Sequence, residues 1–266
     1  MAKNNNNDIW GHQSNNMNSG MRDTSAWYTS DRANANVFEE NAYAPEETLS
    51  GYMAKTFLWM CAGLLLTFLV AYGMARAGVA YRILAGGSPA ILIVTIAEIA
   101  LVVTLSARIH KLSVPAATIM FLVYAALTGV MFSIYFIIIE MNVLIYVFIA
   151  TSVFFGGLAA ASLVFNMQLD SLRPFLFGGL IFLIVFGLIS MFVNLGAFET
   201  IVCYIGIAIF LAYTAYDTAK IKQNYAYYAG QPDMLQKASI FSALQLYLDF
   251  INLFLYILRI LGRRRN

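Results

Sequence analysis

From Tyr52 onward the chain alternates long apolar stretches with short polar breaks, and each stretch runs near the ~20 residues a helix needs to cross the bilayer hydrocarbon. The pattern predicts seven helices, at about 56–76, 88–108, 115–139, 143–166, 174–197, 199–220 and 238–261. The breaks are short except near 221–237, which holds Lys222, Tyr225, Tyr227, Tyr228, Gly230 and Pro232. Short connections make successive helices antiparallel neighbours in one bundle. The expected fold class is an all-α integral membrane protein, a seven-helix bundle. Small residues four apart, Ala125 with Gly129 and Gly157 with Ala161, would let backbones approach closely.

Before Tyr52 the pattern vanishes. The run NNNN at 4–7 and the stretch QSNNMNSG lead into scattered Asp, Glu, Ser and Ala with no helical or strand period. Such a segment cannot bury enough apolar surface to offset its chain entropy, so 1–51 is expected to be a disordered, Asn-rich tail. It precedes a transmembrane domain at 52–262 and a basic end at 263–266. No basic start followed by a short apolar run and a small-residue cleavage site is present, so the first span is expected to direct insertion. Trp10, Trp27 and His12 read as parts of the tail.

Composition agrees with this class. Mean hydropathy is +0.72, 61% of the 266 residues are hydrophobic and only 11% are charged, beyond what a soluble core of this size requires. A formal charge of +2, with basic residues at the ends of spans, implies no nucleic-acid partner. Cys61 and Cys203 lie inside hydrophobic runs, so a disulfide framework is not expected. With a cytosolic N-terminus, the inner connections hold Lys55, Arg108, Lys111, Arg173, Lys220, Lys222 and Lys237, and the outer ones only Arg76 and Arg82. Seven full crossings then place Arg263, Arg264 and Arg265 outside, against the rule. Either the last segment dips in and returns, or it is a buried helix exempt from the bias.

Charge inside the spans is rare and therefore informative. Asp217 and Asp249 each sit within an apolar stretch, where an unpaired carboxylate costs about 3 kcal/mol or more. In the last span Ser242, Gln245, Asp249, Asn252 and Tyr256 recur three and four residues apart, so they share a face, while Leu246, Phe250, Leu253 and Phe254 form the apolar one. That polar stripe must face other helices or a wet path. In the sixth span Tyr213, Asp217 and Lys220 share a face. Two carboxylates brought together share protons, because ionising both at short range is costly, and such a pair responds to pH as a unit. Arg108, closing the second span on the same side, is the candidate latch for the ionised pair. Glu98, within the second span, is a third carboxylate that would line the same route. His110, beside Lys111, reads as interfacial.

Asp, Glu and Asn oxygens suit hard cations such as calcium, yet nothing here has the ligand count or spacing of a tight calcium site, so transient contact at Asp217 and Asp249 is expected. Zinc is set aside, since neither His nor Cys pairs occur at ligand spacing. No cofactor is expected.

The stretches AYTAYDTAKIK and SALQLYLDFINLFLYILRILG resemble the last two helices of the Bax-inhibitor family of transmembrane proteins, and LVYAALTGVMFSIYFI is similar to its third helix. The resemblance covers about 52–262 and implies a C-terminal helix that is central and wrapped by the other six. It also implies that the aspartate pair matching Asp217 and Asp249 senses pH and gates a slow calcium leak. Glu98 and Arg108 correspond only loosely to charged second-helix positions of some members. Bacterial relatives sit in the inner membrane, and some are linked to control of a membrane-bound protease. The long polar N-terminus departs from their compact pattern.

The expected function is thus a pH-sensitive calcium leak in the bacterial inner membrane, with the bilayer as its surroundings and a monomeric bundle sufficient. A non-conducting scaffold that regulates a membrane protease or a stress response is the alternative. Intramembrane aspartyl proteolysis is a minor one. Tyr216 and Asp217 match the Tyr-Asp pair of those enzymes, but Asp249 follows Leu246, Tyr247 and Leu248 rather than a Gly-x-Gly turn, and no Pro-Ala-Leu motif comes after it. An enzyme is not expected.

Overall fold

A computed structural model describes residues 47–85, 88–108, 111–165, 169–190, 193 and 196–263. The expected disordered tail up to residue 46, with Trp10, Trp27 and His12, lies outside the described residues, as do His110, Arg264, Arg265 and the Arg263 side chain. The helices are α1 (Leu49–Arg76), α2 (Val79–Ala85), α3 (Ser88–Arg108), α4 (Val114–Ile138), α5 (Met141–Val164), α6 (Arg173–Ser190), α7 (Ala197–Tyr227) and α8 (Pro232–Arg263), with a 3-10 turn at Asp170–Leu172. All but α2 are long and apolar enough to cross a membrane. Large side chains such as Ile93, Ile96, Phe154 and Phe177 point outward and would be a liability in water. On spans of this length they suit contact with acyl chains.

The helices overrun the apolar stretches where nothing breaks them. Thr48 caps α1, its hydroxyl accepting from the Gly51 N–H at 3.2 Å. The helix therefore starts at Leu49, within the stretch expected to be loose. α7 continues past Lys220 to Tyr227, and α8 begins at Pro232, so the long connection expected at 221–237 shrinks to Tyr228–Gln231. Gly230 supplies the turn with φ 78°, and proline suits a first helical turn. At 1.5 Å per residue α8, of 32 residues, is about 48 Å long and uninterrupted. It does not dip in and return. α6 is described as far as Ser190, and most of the remainder of the span expected to reach 197 lies outside the described residues.

Two pairings dominate the packing, α1 with α4 and α7 with α8; α8 also lies against α1, α5 and α4. Two thirds of the last span's apolar window is buried, whereas no other span exceeds 28%. α3 rests chiefly on α4, and α6 chiefly on α7. The apolar face of α8 makes the core: Leu246 and Leu253 are fully buried, and Phe250 meets Phe148 and Phe155 edge-on.

Hydroxyls lock the same helices together. Thr67 donates to the Ala125 carbonyl at 2.9 Å and stands 2.6 Å from the Tyr247 hydroxyl, tying α1, α4 and α8 at one point. Thr56 meets Ser239 at 3.0 Å, and Ser162 donates to the Ala215 carbonyl at 2.7 Å, joining α5 to α7. In an apolar surrounding each bond contributes about 0.6 kcal/mol.

Candidate functional site: a paired carboxylate between α7 and α8

The polar face of α8 turns toward α7, and the two helices meet as antiparallel stripes. On α7 the stripe reads Glu199, Cys203, Gly206, Phe210, Tyr213, Asp217 and Lys220; on α8 it reads Ser242, Gln245, Asp249, Asn252, Tyr256 and Arg259. Alternate steps of three and four residues keep a stripe facing one partner along its length. Opposite directions then set Lys220 level with Gln245 at one end, and Phe210 and Gly206 beside Tyr256 toward the other.

Asp217 and Asp249 fall at the same depth in this ladder. They are 6% and 3% exposed, and their carboxyl groups lie close enough to act on one another. Oδ2 of Asp249 is buried and receives no N–H or hydroxyl hydrogen bond. Two carboxyl groups this close and this buried are costly to ionise together. Gln245 stands over the pair, its Nε2 donating to Oδ1 of Asp217 at 3.4 Å. Tyr213 is near enough to feel both charges.

Three cavities follow one another along these stripes. The first, about 450 Å³, is lined by Arg173, Tyr216, Lys220, Gln245 and Asp217. The second, about 460 Å³, is lined by Asp217, Asp249, Glu98, Tyr213 and Asn252, and separates α8 from α3 and α6. The third, about 610 Å³, lies toward the end of α8 and is lined by Glu199, Cys203, Tyr256 and Arg259. Asp217 and Gln245 belong to both the first and the second. Tyr213 also lines both, so these three side chains stand where the two cavities adjoin.

The structure thus brings together Asp217, Asp249, Gln245, Tyr213 and Asn252. Asn252 spends its amide on the Leu248 carbonyl of its own helix, at 2.8 Å. Glu98 reaches the same cavity from α3, with Oε1 buried and without a hydrogen bond; Thr128 is beside it but donates to the Tyr124 carbonyl. Arg108 is not brought to the pair. It is exposed at the end of α3, which lies on α4 rather than on α8, and it makes no ion pair with either aspartate. The positive charge that acts on Asp217 is Lys220, one turn along α7 and over the Tyr216 ring. Among the described residues no three His, Cys, Asp or Glu side chains gather as metal ligands.

The sequence reading missed Tyr247 and Phe210. Tyr247 is fully buried within the apolar face of α8, edge-on to Phe121 and Tyr124. The signal was present, since a buried phenol needs a hydroxyl partner. Phe210 carries no such mark, as one aromatic among many.

Known membrane proteins share this sequence pattern. The family model described as "Inhibitor of apoptosis-promoting Bax1" matches residues 49–266. The inner membrane protein YbhL of Escherichia coli K12 is 38% identical over 223 residues, covering 83% of this chain and 95% of that protein. An uncharacterised protein of Deinococcus radiodurans is 36% identical over 216 residues, 81% of this chain and 91% of its own length. One of Rickettsia prowazekii is 34% identical over 221 residues, 83% and 93%. The chain is a multi-pass integral membrane protein and belongs to the Bax-inhibitor family. None of these relatives carries the name of an enzyme.

Proposed function

We propose that this protein is a low-conductance cation leak, with calcium the ion carried, gated by proton exchange at Asp217 and Asp249. The observation that carries the reading is the approach of two buried carboxyl groups that both line one cavity, one of them lining the next as well. Gain or loss of a proton there changes the contact between α7 and α8, because two bare charges side by side repel while a shared proton joins them. Lys220 takes the steadying role expected of Arg108. Carboxylate, amide and phenol oxygens along the second cavity suit brief contact with a hard cation. The chain is not an enzyme in this reading and holds no cofactor. The E. coli relative supports an inner-membrane location. Basic residues at one set of helix ends support a cytosolic N-terminus.

The test is calcium flux into vesicles holding the purified protein, followed across pH, with Asp217→Asn and Asp249→Asn beside the parent. Each substitution keeps the shape and removes the titrating acid, so each flattens the response to pH. An unchanged pH response in both variants refutes the gate. Absence of any protein-dependent flux favours a scaffold that regulates a membrane-bound protease, and cleavage of a transmembrane substrate abolished by either substitution favours proteolysis.

A further inference from the structure

Between the second and third cavities stands a wall of two aromatic rings. Phe210 lines the second cavity and Tyr256 the third. The rings stack with centroids 5.9 Å apart and planes 27° from parallel. Phe210 is 5% exposed. On α8 the wall stands one turn beyond Asn252, and on α7 one turn beyond Tyr213, so it spans the polar stripes at a single depth.

Two neighbours fix the Tyr256 ring across the route. A Cβ at Gly206 would lie 2.7 Å from it, so the phenol occupies the space that a side chain on α7 would otherwise fill. Arg259 covers it from the third cavity, its guanidinium carbon 5.5 Å from the ring centroid, in cation–π geometry. A hydrated cation arriving from that side therefore meets a fixed positive charge and then two apolar faces in contact. Shedding its water there is costly because the ring faces carry no oxygen and the wall has only the one Tyr256 phenol to give in exchange.

We propose that the Phe210–Tyr256 stack is the constriction of the permeation path and the element that sets which ions pass, closing it on the side of Glu199 and Arg259. The proposal rests on the leak reading above, so its test uses a readout independent of calcium flux. Leu248 lines the second cavity, behind the wall. In the full-length protein with Cys61 and Cys203 replaced by alanine, Leu248→Cys is exposed to a membrane-impermeant, positively charged thiol reagent added only on the side that Arg259 faces. With both rings present labelling is slow. In Phe210→Ala or Tyr256→Ala it rises about tenfold or more, while Tyr256→Phe, which keeps the ring, stays slow. Phe210→Leu keeps apolar volume without the stack and also labels fast; it serves if the alanine variants do not fold. Fast labelling with the stack intact, or slow labelling once a ring is gone in a folded protein, overturns the constriction. An unchanged pH response in both Asp217→Asn and Asp249→Asn would sink the proton gate without altering these rates, so the two failures are distinguishable.

Discussion

Replacing Gly129 by alanine adds one methyl group where α4 crosses α1. Its Cβ would lie 2.8 Å from the Thr67 carbonyl oxygen and 2.8 Å from Cβ of Val70. One neighbour is backbone and the other the stiff branch point of a side chain, so neither yields easily. Relief to an ordinary 3.4 Å contact means parting the two helices by about half an ångström. Overpacking of this kind costs about 1–3 kcal/mol, and the better helix propensity of alanine returns about 1 kcal/mol. A net loss of up to about 2 kcal/mol is expected, and the Thr67 bond to Ala125 is strained with it. Gly157 gives the control, since nothing lies within 4 Å of its would-be Cβ. Gly157→Ala should be neutral or stabilising by up to about 1 kcal/mol. Reversible unfolding in mixed micelles, titrated with denaturing detergent and read by tryptophan emission, measures both. Equal stability of Gly129→Ala and Gly157→Ala would refute the claimed close approach.

Other expectations concern bonds between helices and charges near the pair. Tyr247→Phe should lower stability by about 0.6 kcal/mol in the same assay, with the coupling to Thr67 recovered by a double-mutant cycle with Thr67→Val. Ser162→Ala, which removes the bond to the Ala215 carbonyl, should lose a similar ~0.6 kcal/mol. In the flux assay Lys220→Gln should displace the dependence on pH, whereas Arg108→Gln should leave it in place; the reverse result would restore Arg108 as the latch.

The last span shows why much of the site was legible. Ser242, Gln245, Asp249, Asn252 and Tyr256 are polar at helical spacing in an apolar stretch, and polar groups in hydrocarbon must find partners, so spacing alone selects their face. Arg108 shows the limit. Its side of the membrane follows from counting crossings, but its direction around the bundle depends on whether α3 lies against α4 or α8, and no local pattern carries that. Ala125 with Gly129 and Gly157 with Ala161 read identically along the chain, yet Gly129 is pressed against α1 and Gly157 faces outward. Small size permits an approach without choosing the neighbour. The extents of α7 and α8 escaped the apolar pattern because their outer turns leave the bilayer, where hydropathy no longer marks a helix.

The matched stripes of α7 and α8 impose a register. One residue inserted between Phe210 and Asp217 would rotate everything after it by about 100° and swing the acid away from its partner while the aromatic wall stayed where it was. The four-residue turn at Tyr228–Gln231 is the place where added length does least harm, since both helices are complete before reaching it. Lengthening is therefore tolerable at the hairpin tip and ruinous within either arm, as in a zip whose teeth must stay in step.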